Sequence, residues 1–245
     1  MFGTPRIHFD SIDSTNKAGL LAAAEGAAEG TVFSADAQTE GRGRMSREWY
    51  SPAGLGLYFS ILLRPDIPAV KANQIVLQSA VAVCEAIEES VDCNVGIKWP
   101  NDIYVERKKV GGILVETVIA GRMIEYAVVG IGINVLNEAE SFPPELGKTA
   151  ASLKSVTGRV VNKDELLDRT LSIYEAYYTG EIECKIDKWM KRCIHLDEQV
   201  RIEHNGEKLK GIFTDIGADL SFQLKDSSGR KRKIEYGEIS LNLEV

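Results

Sequence analysis

Long apolar runs are missing from this chain of 245 residues. No stretch of about 18 uncharged apolar residues occurs, which argues against a helical membrane span. The N-terminus, Met1-Phe2-Gly3-Thr4-Pro5-Arg6, has no apolar signal segment, so a cytoplasmic location is the expectation. Cysteine is scarce: Cys84, Cys93, Cys184 and Cys193 form no C-x-x-C pair. Such scattered thiols are expected to stay reduced and structural. His8, His195 and His204 lack metal-ligand spacing, so no metal ligand is assigned. Positive charge is short as well. A net charge of −7 argues against a general nucleic-acid binder, because neutralising phosphates takes clustered Lys and Arg. The one basic cluster, Arg230-Lys231-Arg232-Lys233, reads as a solvated hairpin edge. There is no G-x-x-x-x-G-K-[ST] loop, no G-x-G-x-x-G between strand and helix, and no G-x-S-x-G elbow.

What is present is a set of polar motifs between strand-like runs. Residues 6–10 read as a strand, and Asp13-Ser14-Thr15-Asn16 precedes an alanine-rich helical run. Those four types cap helix N-termini, and the same cluster equally suits a polar ligand at a helix start. After a strand at 31–35 comes Gln38-Thr39-Glu40-Gly41-Arg42-Gly43-Arg44-Met45-Ser46-Arg47-Glu48-Trp49. Glycines there permit close backbone approach, and three arginines suit phosphate or carboxylate oxygens. A tryptophan is costly to leave on a mobile loop, so ordering by a ligand is the expectation.

A buried strand is predicted at 55–63. Val76, Ala80, Val83, Cys84 and Ile87 mark the core face of a helix over 73–90. Lys98-Trp99-Pro100-Asn101-Asp102 forms a turn between strands at 94–99 and 102–105. Lys109-Val110-Gly111-Gly112-Ile113-Leu114-Val115-Glu116 then leads into a strand at 111–120, paired as a hairpin with one at 123–135. The alternating glycines of Gly130-Ile131-Gly132-Ile133-Asn134 leave room for a flat ligand against the sheet, with Asn134 as a polar anchor. Residues 136–163 read as loop-rich, 164–178 and about 182–193 as helices. From His195 the texture changes to short alternating strands separated by Asn205-Gly206, Ile216-Gly217 and Ser228-Gly229, which fits a small β-barrel. The predicted division is 1–194 and 195–245.

Arg42, Arg44, Arg47, Lys98 and Lys109, with Asp102 as a nearby acid, suit a reaction between two anions, such as carboxylate attack on the α-phosphate of ATP.

At these residues the chain resembles the biotin–protein ligases. The resemblance runs through Ser14-Thr15-Asn16, Gln38, Gly41 to Trp49, Lys98 to Asp102, Lys109 to Glu116, Gly130 to Asn134 and Gly237-Glu238-Ile239-Ser240-Leu241, in order over nearly the whole chain. It implies an α+β fold. A mixed β-sheet catalytic domain flanked by helices, related to class II aminoacyl-tRNA synthetases, would precede an SH3-like β-barrel. It also implies two steps: biotin and ATP, with Mg²⁺, give biotinyl-5′-AMP, and the acyl group then passes to a lysine of a biotin-carboxyl-carrier domain.

Carried over by residue, Ser14, Thr15 and Gln38 would bind the biotin ureido head, with Asn16, Gly41, Gly43 and Gly112 around the same ligand. The Arg42–Arg44 segment would close over both biotin and adenylate; Arg42, Arg44, Arg47, Trp49, Asn101, Lys109 and Asn134 would serve the nucleotide, with Arg44 on the phosphate and Trp49 as cover. Lys109 would sit between the biotin carboxylate and the α-phosphate, and Asp102 would orient Lys109 or take a proton from the incoming lysine. Met45 and Ser46 depart from the basic residue and glycine frequent in family loops, and Asn242 from an arginine that reaches the nucleotide in some members. Too few residues precede the first strand for the DNA-binding domain of some members, so no DNA partner is expected. Pairing of many relatives through sheet edges implies a homodimer. The alternatives are a lipoate or octanoate ligase of the same fold, or a regulator that binds biotinyl-AMP without catalysis.

Overall fold

Alternation with period 2 and helical spacing divide the chain into elements close to those expected. The computed structural model describes residues 2–180, 182–204, 207–217, 221–234 and 238–241. In chain order the elements begin with β1 (Arg6–Phe9), α1 (Thr15–Ala24), β2 (Val32–Ala35), β3 (Gly56–Leu63) and α2 (Asn73–Val91). They continue with β4 (Val95–Lys98), β5 (Asp102–Val105), β6 (Lys108–Ala120), β7 (Met123–Asn134), α3 (Leu153–Thr157), α4 (Lys163–Thr179) and α5 (Ile182–Met190). The chain ends with β8 (Gln199–His204), β9 (Glu207–Ile216), β10 (Phe222–Lys225), β11 (Lys231–Ile234) and β12 (Glu238–Leu241).

Strands β1 to β7 form one mixed sheet in the order β1-β2-β3-β7-β6-β5-β4. The β1–β2 pair is parallel and the other pairs antiparallel. All eight residues of β3 are buried, as expected of an apolar run in the middle of a sheet covered on both faces. Because successive side chains point to opposite faces, Phe33, Leu62 and Val128 pack under α1 with Ala23. Their neighbours Val32, Ile61 and Val129 join the core that contains Ala80, Val83 and Ile87 of α2. Asn162 starts α4 by accepting from the backbone N–H groups of Asp164 and Glu165, whose charges suit a helix N-terminus.

Three boundaries differ from expectation for local reasons. β6 starts at Lys108 rather than Gly111, so Lys109 is a strand residue. The 136–163 segment contains α3, opened by a reciprocal Ser152–Ser155 capping box and too short to show as periodicity. α5 ends at Met190, and the chain then lies along β4, where Arg192 accepts from Ile97 N and Ile194 donates to Ile97 O.

Strands β8 to β12 form an antiparallel sheet in the order β11-β10-β9-β8-β12. Among the described residues nothing pairs β11 with β12, so this sheet is open where a closed barrel was expected. Asn205, Gly206, Leu220, Tyr236, Gly237 and Asn242 lie outside the described residues, as do the side chains of Cys184 and His204. Cys84, Cys93 and Cys193 are free thiols. Lys231, Arg232 and Lys233 are exposed on the edge strand β11.

The two sheets meet in an aromatic cluster. Trp99 packs against Trp189, Phe213 and Phe222 with centroids 5.5, 6.4 and 5.4 Å away. His195 stands edge-on to Phe213 at 4.5 Å. Burial pushes its pKa down to about 3, so the ring is neutral there. Trp99 comes from the Lys98–Asp102 turn, which fixes that turn from behind.

Candidate active site

One face of the first sheet carries small and polar residues where β3, β7, β6 and β5 run side by side. The register places Ser60 opposite Gly130, Gly112 opposite Gly132, and Asp102 opposite Gly112. Together with the start of α1, the 42–50 loop and the 142–150 segment, these strands enclose a cavity of about 280 Å³. Its size suits a small ligand.

Lys109 reaches this face through an irregularity. Lys109 and Gly112 are three residues apart, so on a regular strand they would face opposite sides. The register shifts here: Gly111 pairs with Ile103 and Lys109 with Tyr104, leaving Val110 as the extra residue of a bulge. Lys109 therefore shares a face with Asp102, and its Nζ lies 2.7 Å from Asp102 Oδ1. The 149–151 segment holds the backbone on either side: Lys109 N donates to Thr149 O, and Ala151 N donates to Lys109 O.

The glycines make room for Trp49. A Cβ on Gly132 would lie 2.4 Å from Trp49 Nε1, and one on Gly112 3.1 Å from Trp49 Cζ3. The flat group against the sheet is thus the indole, with Lys109 Nζ 5.4 Å from its centroid. Its buried Nε1 has no hydrogen-bond acceptor among the described residues. We expect Gly132→Ala to push the indole off the sheet. Red-shifted tryptophan emission and several-fold faster proteolysis of the 42–49 segment, at an unchanged unfolding midpoint, would be measured.

The Ser14–Asn16 cluster is not spent on capping. Ser14 is the N-cap of α1, yet its buried side chain makes no capping bond. Thr15 donates from its backbone N (2.9 Å) and from Oγ1 (3.1 Å) to Gln38 Oε1. Gln38 Nε2 donates to Ser51 Oγ, and Ser51 Oγ to Trp49 O, each at 3.0 Å. Asn16 Oδ1 accepts from Ser60 Oγ at 2.6 Å, and a Cβ on Gly130 would collide with it.

In the loop, Arg42 Nη2 donates to Glu116 Oε2 at 2.9 Å and Arg44 Nη1 to Asn101 Oδ1 at 3.2 Å. Asn101 Nδ2 in turn donates to Ile113 O at 2.8 Å. Met45 and Ser46 have φ of 56° and 60°, values that a glycine adopts with less strain. Replacing Ser46 by glycine is expected to stabilise this turn by less than about 1 kcal/mol, read as slower proteolysis of the loop.

Every site residue expected from the sequence lines this one cavity except Gly41, which stands behind it. Gly41 O accepts from Trp49 N, and a Cβ at Gly41 would lie 2.4 Å from Trp49 O. Lys98 lines the cavity too. Asn134 lies at its floor, donating to Ala151 O at 3.1 Å. Sequence reasoning missed Ser60, Ser51 and the 142–150 wall. It left Glu116 without a role, although a carboxylate inside an apolar strand was a usable signal. The site is therefore a small cavity lined by cations and hydrogen-bonding groups, with two carboxylates, Asp102 and Glu116, already paired to Lys109 and Arg42.

A family model described as the biotin/lipoate A/B protein ligase family matches residues 8–134. The chain is 41% identical over 178 residues to the bifunctional ligase/repressor BirA of Bacillus subtilis, a match that takes in 73% of the chain and 55% of that relative. It thus spans about half the length of that relative. It is 31% identical over 229 residues to a biotin–[acetyl-CoA-carboxylase] ligase of Paracoccus denitrificans, with 89% and 93% covered. Among solved structures, biotin protein ligase from Aquifex aeolicus in complex with biotin and ATP superposes with a TM-score of 0.82 at 30% identity, covering 96% and 97%.

Proposed function

The chain belongs to the biotin/lipoate A/B protein ligase family, and from that premise we propose that it attaches biotin to a carrier-protein lysine through biotinyl-5′-AMP. In the first step a biotin carboxylate oxygen bonds to the α-phosphorus of ATP, the bond to the β-phosphate breaks, and pyrophosphate leaves. In the second, a neutral lysine Nζ of a biotin-carboxyl-carrier domain attacks the acyl carbon, AMP leaves, and the nitrogen loses a proton. ATP would enter as its Mg²⁺ complex, the ion offsetting phosphate charge.

The observation that carries this reading is Lys109, aimed by a bulge into the cavity and held 2.7 Å from Asp102. Two anions must approach one another in the first step. A fixed ammonium between them offsets their repulsion and stabilises charge as it shifts onto the phosphates. In this reading Asp102 positions Lys109, and Lys109 exchanges that carboxylate for ligand oxygens when both substrates bind. Arg44, held by Asn101, meets the phosphate, with Arg42 and Arg47 on the same loop. Ser14, Thr15, Asn16 and Gln38 meet the ureido head, with Gly43 beside them on the loop, while Gly41 and Gly112 leave room for the Trp49 backbone and indole that close over the ligand. Trp49 covers the intermediate against water, which hydrolyses mixed anhydrides readily. Asn134 shapes the nucleotide end.

We assign residues 1–194 to this chemistry and 195–245 to an appended module. The cytoplasm is the compartment in which we place the reaction, and a homodimer, read by sedimentation velocity, is the assembly we expect. The deciding experiment supplies purified protein, ATP, Mg²⁺ and a biotin-carrier domain with biotin, lipoate or octanoate in parallel. Biotin transfer is expected; transfer of lipoate or octanoate but not biotin would overturn the assignment. Trypsin provides a second check. Cleavage after Arg42, Arg44 and Arg47 is expected to slow at least about tenfold when biotin and ATP are both present. Equal cleavage in both states would remove the loop from ligand closure.

A further inference from the structure

Glu116 sits on β6 among Leu114, Val115 and Val118, with a side chain 26% exposed. A carboxylate at such a position is costly unless it is partnered. Both of its partners belong to the cavity. One oxygen, Oε2, accepts from Arg42 Nη2 of the loop at 2.9 Å and from Asn16 Nδ2 of the helix start at 2.8 Å.

We propose that Glu116 is a positioning residue that latches the 42–49 loop over the cavity and ties its closure to the hydrogen-bonding groups of Thr15, Asn16 and Gln38. The proposal rests on the ligase reading for its functional consequence.

The hydrogen bonds form a circuit. From Glu116 it passes to Asn16, then to Ser60, whose Oγ also lies 2.8 Å from Thr15 Oγ1. Thr15 donates to Gln38, Gln38 to Ser51, and Ser51 to the Trp49 carbonyl. Trp49 N donates to Gly41 O, one residue from Arg42, whose guanidinium returns to Glu116. Both stems of the loop are thereby bonded, directly or through one another, to Thr15, Asn16 and Gln38, which line the cavity. A ligand that engages Thr15, Asn16 or Gln38 alters bonds at both stems at once.

The two bonds to Glu116 are not equivalent. Asn16 Nδ2 has a second acceptor, Leu114 O at 3.2 Å, and its Oδ1 keeps Ser60. Removing the Glu116 carboxylate therefore leaves Asn16 in place, whereas Arg42 loses its ion pair and with it the one charged tie from this stem of the loop to β6, leaving Arg44 on Asn101 and Trp49 on the sheet. The predicted lesion is in loop closure, with the floor of the cavity intact.

Glu116→Ala, Glu116→Gln and Arg42→Ala test this, with the double variant Glu116→Ala/Arg42→Ala. In ligand-free protein, trypsin is expected to cut the loop of Glu116→Ala and the isosteric Glu116→Gln several-fold faster than wild type, at an unchanged unfolding midpoint. In protein preloaded with biotin and ATP, escape of biotinyl-5′-AMP is expected to be at least about tenfold faster in Glu116→Ala. The double variant should lose no more than the worse single one, because a pair acting as one unit is non-additive. Wild-type cleavage rates in both Glu116 variants would overturn the latch, and so would losses that multiply in the double variant. A wild-type protein that makes no adenylate would overturn the ligase reading, while the ligand-free cleavage comparison still decides the latch.

Discussion

Lys109→Ala lowers biotin- and ATP-dependent pyrophosphate release by about 10²–10³-fold, the loss typical of removing one pre-placed charge or donor from a reacting oxyanion. Folding is expected to change little. The Lys109 and Asp102 side chains are 29% and 21% exposed, so the pair keeps contact with water. Breaking it is expected to cost about 1 kcal/mol or less, and the backbone bonds that hold residue 109 to Thr149 and Ala151 remain. Radiolabelled pyrophosphate release measures the first quantity, and a urea unfolding midpoint the second. A folded variant with near-normal release would take Lys109 out of the centre of the reaction. Lys109→Arg keeps the charge but spreads it over a planar group, so partial activity is expected.

Trp99→Ala is expected to destabilise the protein by about 3–5 kcal/mol, the range for deleting a large buried aromatic side chain. Trp99 is 4% exposed and fills the junction between the two sheets, against Trp189, Phe213 and Phe222. Two residues on, Asn101 holds Arg44, and Asp102 holds Lys109. The same substitution should therefore reduce activity at temperatures where the variant is still folded. Trp99→Phe should recover most of the stability, because an aromatic ring still fills the space. A change below about 1 kcal/mol for Trp99→Ala would show that the aromatic cluster contributes little to joining the sheets.

The sequence made the elements of the first sheet legible because their apolar residues repeat at strand or helix spacing, as in Gly56–Leu63 and Asn73–Val91. It made the charged members of the site legible because a lysine in an apolar strand needs a reason to be there. Geometry that depends on contacts between distant segments was hidden. Alternation cannot reveal that Val110 is an extra residue, since the register shift exists only relative to β5. The glycines at 112, 130 and 132 announced close approach, but not that Trp49 and Asn16 of this chain make it. Trp99 stood inside a polar motif, and nothing local showed that its ring packs into a second sheet. The closed barrel was inferred from strand count and turn spacing, which do not fix whether the edge strands meet. Pairing among the described residues leaves them apart.

The extra residue at Val110 makes this strand unequally tolerant of changes in length. With Val110 deleted, ordinary alternation would still set the lysine opposite Tyr104, and the loss would be one buried apolar side chain. With one residue added, the strand can regain the right direction only by straightening. The ammonium would then be carried two residues, about 7 Å, toward the Glu106-Arg107 turn that ends β5, beyond reach of Asp102. Shortening this part of the chain thus changes its packing, whereas lengthening it relocates its charge.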